Sequence, residues 1–254
     1  AWLARNALLA GHAPRHWRLR SAVSLAGLFD PVPDVGLGED LLAVVGVRAE
    51  LDLSTAADVA QLCERLSDSE RAVAPGPVLH AHTALAAVPP AEVDPPERVR
   101  ALDGSVVDAE DAVVLDGPWL LAVWPPHRLV AARGHDDALA LADVLDLALA
   151  SEETTDGVDG DGEFVTWSGL AAIVEVADLL GLPLPDGGVV VHTELSVGGV
   201  PVRWWVERDD PATPHADDTP DGLARAFAWA AGRWDERALV TALLDDPDPR
   251  TLLG

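Results

Sequence analysis

The sequence predicts an α+β fold, with a helical N-terminal part followed by mixed α/β units that include an antiparallel hairpin. Three observations lead there. Ala56, Val59, Ala60, Cys63 and Leu66 recur at the spacing of one helix face. Residues 189–197 and 200–206 are valine-rich and flank Gly198-Gly199, the signature of a two-residue hairpin turn. Proline and charge then divide the 254 residues into a helical region 1–92, a mixed α/β region 93–150, an acidic loop 151–162 and an α+β unit 163–254 with the hairpin and C-terminal helices.

In the helical region, residues 2–12 form a first helix that stops before Pro14, and residues 16–29 a second that ends at Pro31 and Pro33. A third carries Leu41, Leu42 and Val45. Residues 56–66 follow a capping box, in which Thr55 and Asp58 satisfy amides that the first helical turn leaves open. Pro77 suits the first turn of another helix running through His80 and Leu85, and residues 88–96 read as a proline-rich linker. In the mixed region, strands are expected at 99–102, 105–108, 112–116 and 129–132, the first two joined by an Asp103-Gly104 two-residue turn, with a helix over 137–147.

The acidic, glycine-rich 151–162 is too polar to fold alone. Ser168 caps a helix striped with Leu170, Ile173, Val174, Ala177 and Leu180 and closed by Gly181. Pairing outward from Gly198-Gly199 sets Val197 against Val200, Leu195 against Val202 and Thr193 against Trp204. The other face pairs Glu194 with Arg203 and His192 with Trp205. Thr219 caps, and Pro220 starts, a helix bearing Leu223, Phe227, Ala230 and Trp234; residues 236–244 add a last short one.

Composition bounds the function. The formal net charge of -26 repels phosphate, so nucleic acid and anionic membrane are excluded as partners of the bulk surface. All seventeen basic residues are arginine, with no lysine or tyrosine, a bias that GC-rich coding explains without selection on function. One cysteine permits no internal disulfide, and Cys63 falls on an apolar helix stripe. No apolar run approaches the ~20 residues of a membrane span, and without a signal-peptide pattern the cytoplasm is the expected compartment. The chain contains no methionine and begins on the apolar Ala1-Trp2-Leu3-Ala4, which carries the expectation that upstream sequence precedes it.

Chemical constellations are sparse. Asp156, Asp159, Asp161 and Glu163 fail the calcium-loop pattern, because Glu163 and Phe164 stand where Asp and Gly are needed. His80 and His82 fall on different helix faces, and Pro14 interrupts the spacing of His12 and His16. Neither GxSxG nor GxGxxG occurs, and a phosphate loop ending in GK[ST] requires lysine. No catalytic, cofactor or metal residue is therefore assigned.

Four stretches resemble a known family: Gly11-His-Ala-Pro-Arg-His-Trp-Arg-Leu-Arg-Ser-Ala-Val-Ser-Leu-Ala-Gly-Leu-Phe29, Asp111-Ala-Val-Val-Leu-Asp-Gly-Pro-Trp119-Leu-Leu, Val200-Pro-Val-Arg-Trp-Trp-Val206 and Asp221-Gly-Leu-Ala-Arg-Ala-Phe-Ala-Trp-Ala-Ala-Gly-Arg-Trp234. They are similar to the C-terminal part of large actinobacterial proteins with a sacsin-type, Hsp90-like (GHKL) ATPase domain at their N-terminus. The resemblance implies ATP and Mg bound by the missing N-terminal part and a chaperone-like role. The family's nucleotide site needs an Asn-bearing helix and a DxGxG turn. Asn6 is the one asparagine here, and the four stretches are similar to the family's C-terminal part rather than to its ATPase domain, so the resemblance implies no cofactor in this chain.

The expectation is thus a non-catalytic interaction or scaffold region of a larger Hsp90/sacsin-like ATP-dependent protein. Its partners would be the upstream domain of the same polypeptide and protein clients. Trp2, Leu9, Arg15, Arg18 and Arg20 at the N-terminal end, with Trp205 on the outer hairpin face, are the expected interface. The alternative is a stand-alone enzyme of unrecognised type with a site between the helical region and the 163–254 unit. Convergent polar groups in a pocket would favour the enzyme, and a broad apolar patch near the N-terminal end would favour the interaction region.

Overall fold

The computed structural model describes residues 9–155 and 157–246. They form a mixed α+β fold in two compact units, Ala1–Glu153 and Thr154–Gly254.

In the first unit, β1 (Trp17–Arg18) runs parallel to β2 (Asp30–Pro31), and three helices follow: α1 (Glu39–Val45), α2 (Ala56–Leu66) and α3 (Pro75–Ala86). Thr55 caps α2 as its sequence requires, its hydroxyl oxygen accepting from the Asp58 N–H at 3.3 Å. β3 (Arg98–Arg100) and β4 (Val106–Asp108) form an antiparallel hairpin. Its loop has three residues rather than two, because Ala101 N–H still bonds the Ser105 carbonyl at 2.8 Å. β5 (Val113–Val114) lies between β6 (Leu129–Val130) and β7 (Ala148–Leu149) in a parallel sheet. Its two valines are buried on both faces, as a central parallel strand demands. α4 (His135–Leu145) and the single turn α5 (Ala150–Glu153) complete the unit. One core runs from Leu25 and Leu62 to Val99, Val114 and Leu149, so the 1–92 and 93–150 regions share it and the 88–96 stretch is no domain boundary.

Residues 16–29 do not form the expected helix. Gly27 adopts φ +82°, with the Ala72 carbonyl oxygen 2.5 Å from where a Cβ would stand. Arg18 turns inward instead, its guanidinium donating to the carbonyls of Phe29, Leu19 and Arg20 at 3.0–3.2 Å. A side chain thus supplies donors that helical N–H groups would have provided. The predicted helix over 2–12 does not reach its end either. Leu9 and His12 exchange backbone hydrogen bonds around Ala10 and Gly11, both with positive φ; the rest of that prediction lies outside the described residues.

The second unit holds β8 (Val158–Asp159), β9 (Glu163–Thr166), α6 (Ala171–Leu180), β10 (Gly188–His192), β11 (Ser196–Val197), β12 (Val200–Pro201), β13 (Trp204–Trp205), β14 (His215–Asp217), α7 (Pro220–Ala230) and α8 (Arg237–Asp245). The main sheet has the order β13-β14-β10-β9, and β12-β11-β8 forms a small second one. Val189 and Ala216 pack with Ile173, Phe227 and Leu243 of the helices. Thr219 and Pro220 start α7 and Gly181 closes α6, but Ser168 lies in a 3-10 turn (Trp167–Gly169) and does not cap α6.

The hairpin turn stands where the glycines put it, with φ +56° and +77° and Val197 opposite Val200. The register holds through the Val202 N–H to Leu195 carbonyl bond at 3.0 Å and then fails. β14 takes the place between β10 and β13, so Trp205 pairs with His215 rather than His192, and Arg203 binds Asp217 rather than Glu194. The 151–162 loop is also not wholly solvated: β8 pairs with β11, and Asp159 accepts from Gly199 N–H at 2.8 Å.

A buried ion pair anchors the first unit: Arg48 donates to Asp58 at 2.8 Å, to Gln61 at 3.0 Å and to the Arg15 carbonyl at 2.8 Å. Removing one partner strands the other charge. Asp58→Asn should cost about 3–5 kcal/mol, whereas replacing both residues with apolar ones, Arg48→Met with Asp58→Leu, should cost less. Urea denaturation of the three variants checks this, and an Asp58→Asn loss below about 1 kcal/mol would reject the anchor.

Candidate functional site

The expected interface residues are mostly spent inside the fold. Leu9 is only 8% exposed and joins the first unit's core, and its carbonyl accepts from the Trp17 indole at 3.3 Å. Arg15 pairs with Asp58 at 3.5 Å, and Arg18 serves three carbonyls. Arg20 is exposed. Trp205 is 3% exposed, covered by its own chain. Trp2 lies outside the described residues. The basic cluster therefore turns inward, because guanidinium groups satisfy carbonyls that no ladder reaches.

An apolar surface does exist near the N-terminal end, made by other residues. Val23 is 73% exposed and Val44 78%, and Val35, Leu37 and Leu41 are exposed too. Leu41 and Val44, three apart, share one face of α1, and Leu37 stands just before the helix, ahead of its cap Gly38. The Ser21 hydroxyl donates to Glu39 at 2.5 Å and the Ser21 N–H at 3.1 Å, which ties the Val23 segment to the same helix. Leu42 points the other way, into the core, at 4% exposed. The sequence reading gave Leu41, Leu42 and Val45 to this helix without assigning their faces. Leu41 and Val44 at helical spacing, beside Leu42 and Val45, were the signal that α1 is apolar on two sides.

The second unit gathers polar groups. A groove of about 670 Å³ is lined by Thr193, Glu194, Ser196, Arg203, Asp217 and Thr219. Its central charges are mutually satisfied: Asp217 accepts from Arg203 at 2.8 Å and from the Thr219 hydroxyl at 2.5 Å, while Thr219 accepts from Gly222 N–H at 3.1 Å. This network caps α7 and occupies Asp217.

On the same sheet face as Asp217, His192 Nε2 meets His215 Nδ1 at 2.9 Å, and His215 Nε2 faces Glu207 at 3.9 Å. One proton must lie between the rings, so a second full charge on the pair breaks the contact. Burial holds both imidazoles below their ordinary value. For His192 the Asp161 carbonyl and Glu207 oppose it; for His215 Glu207 opposes and His192 reinforces it. His192 Nδ1 makes no hydrogen bond of ordinary geometry, and Gly162 packs against the ring. The arrangement does not suit a metal, since Glu207 and His192 address opposite nitrogens of His215. Among the described residues no group of three His, Cys, Asp or Glu could hold one. Cys63 is buried, and burial pushes its thiol up to about 11, which keeps it unreactive.

These histidines set a pH dependence. His82 is 2% exposed, donates from Nδ1 to the Ala131 carbonyl at 2.8 Å, and is pushed by burial down to about 4. With folded values depressed for His82, His192 and His215, the unfolded chain binds more protons below about 6.5. Stability should be full above pH 6.5 and fall as pH drops from there toward 4, by up to about 3 kcal/mol from His82 alone. His82→Gln should flatten that part of the profile in urea midpoints measured from pH 8 to pH 4; an unchanged profile would contradict the assignment.

Comparison with protein-family models, with curated proteins and with solved structures finds no match, so geometry and chemistry are what the functional reading rests on.

Proposed function

We propose that this chain is a non-catalytic interaction region, acting in the cytoplasm as part of a larger ATP-dependent, chaperone-like protein of the Hsp90/sacsin type. The observation that carries the reading is the exposure of Leu41 and Val44 on one face of α1, with the exposed Leu37 just before the helix and Val23 on the segment that Ser21 ties to it. Five large aliphatic side chains are exposed within residues 23–44, and apolar side chains exposed together mark protein contacts. Asp34, Glu39 and Asp40 beside it and the net charge of -26 keep such a surface soluble and leave it able to receive apolar segments of a client. The groove of the second unit supports the enzyme alternative less well, because its Arg203, Asp217 and Thr219 are occupied with one another and with the start of α7. No helix among the described residues is long and apolar enough to cross a membrane.

The test is suppression of aggregation of a thermally unfolding reporter enzyme at equimolar protein. Wild type should delay light scattering, and Leu41→Glu with Val44→Glu should lose most of that effect. Both positions are exposed, so the melting temperature should shift by no more than a degree or two. Equal protection by variant and wild type, or none by wild type, would overturn the reading.

A further inference from the structure

A second surface, independent of the α1 patch, lies at the edge of the main sheet. β9 closes the order β13-β14-β10-β9 and, among the described residues, pairs on one side only, with β10. Its four residues carry the exposed Glu163, the 54%-exposed Phe164 and the exposed Thr166. Natural edge strands are guarded against pairing by proline, bulges, lysine or extreme shortness. β9 has none of the first three, and a four-residue strand still offers outward backbone groups.

The hydrogen-bond phase identifies them. Trp167 N–H donates to the Gly187 carbonyl at 3.3 Å, and Thr166 stands opposite Gly188, so the ladder continues one residue past β9. In an antiparallel pair, residues alternate between facing the partner strand and facing away. Trp167, Val165 and Glu163 therefore face β10, and the N–H groups of Phe164 and Thr166 and the carbonyl of Phe164 point outward. The Phe164 ring shares a sheet face with His192 and His215 and is solvated, where it can cover a neighbour's apolar side chain.

We propose that β9 accepts an extended, cationic segment of another protein by strand addition. Charge selects the occupant. Asp161 and Glu163 are exposed at the start of the strand, and the chain as a whole carries -26, so a second copy of this chain or an acidic strand is repelled while an arginine- or lysine-bearing strand is attracted. Outward N–H and C=O groups would supply the affinity, and Phe164 and the acids the choice of side chains.

Thr166 provides a clean test, because its φ is -67°, the angle proline imposes. Thr166→Pro removes an outward N–H without straining β9 or its bonds to β10. The probe is a fluorescein-labelled octapeptide alternating lysine and valine, titrated against the full chain by anisotropy. Its controls are a glutamate–valine analogue and a lysine–valine peptide with a central proline. The expected result is saturable binding of the lysine–valine peptide alone. Thr166→Pro should weaken it about tenfold at unchanged melting temperature. Asp161→Asn with Glu163→Gln should weaken it severalfold and flatten its salt dependence. Hydrogen exchange should slow at Phe164 and Thr166 when the peptide binds. Binding unaffected by Thr166→Pro, equal binding of the proline control, or no saturation by wild type would overturn the proposal. The Leu41→Glu, Val44→Glu protein should bind the peptide normally, which separates this edge from the α1 surface.

Discussion

Buried guanidinium groups hold the first unit together. Residues 13–32 contain little regular structure, so many of their carbonyls lack a backbone donor, and every buried carbonyl needs one. Arg18 serves Phe29, Leu19 and Arg20; Arg65 serves Leu28 at 2.8 Å; Arg48 serves Arg15; Arg100 serves Leu66, Gly104 and Asp68 at 2.6–3.0 Å. Arg48 and Arg65 also lie 4.7 and 4.5 Å from the ring centre of the buried Phe29. A planar fork with five donors can satisfy several carbonyls while stacking on a ring, which an ammonium cannot do. The absence of lysine thus has a structural use, whatever codon bias produced it.

That arrangement has a consequence for the surface. Arg48, Arg65 and Arg100 are buried, and Arg18 is half-buried and occupied, so an already acidic protein shows even less positive charge to solvent. The described surface is predominantly acidic, and it also carries the exposed aliphatics of α1 and the open edge of β9. In the proposals above, the first would receive apolar segments and the second a cationic strand. Neither resembles an active site, where a free acid or base would have to face a cavity. Among the described residues, Asp217 is held by Arg203 and Thr219, and His192 and His215 hydrogen-bond each other.

Local signals in the sequence were legible wherever a residue acts on its own neighbourhood. Thr55, Thr219-Pro220, Gly181 and Gly198-Gly199 each fixed a helix end or turn, because their chemistry operates within a few residues. The register of the long hairpin was not legible, since β14 arrives from ten residues beyond β13 and competes for β10. The helix over 16–29 failed for a similar reason: Arg18 and Gly27 answer to Phe29 and to the backbone of Ala72, contacts that periodicity does not record. The basic patch of Arg15, Arg18 and Arg20 looked like a surface because charge suggests solvent. Arg15 and Arg18 bind groups of the fold, and the exposed apolar face fell instead on α1, whose two-sided pattern is visible once Val44 is counted with Leu41.

The central claim is that this α1 face, and not a catalytic cleft, meets other proteins. Methyl NMR of leucine- and valine-labelled protein during titration with a destabilised, partly unfolded client tests it most directly. The account predicts that Leu37, Leu41, Val44 and Val23 shift or broaden together while the buried Leu42 and Leu62 stay in place. Perturbation confined to Leu195 and Val202 in the groove of the second unit, or none at all at saturating client, would contradict it.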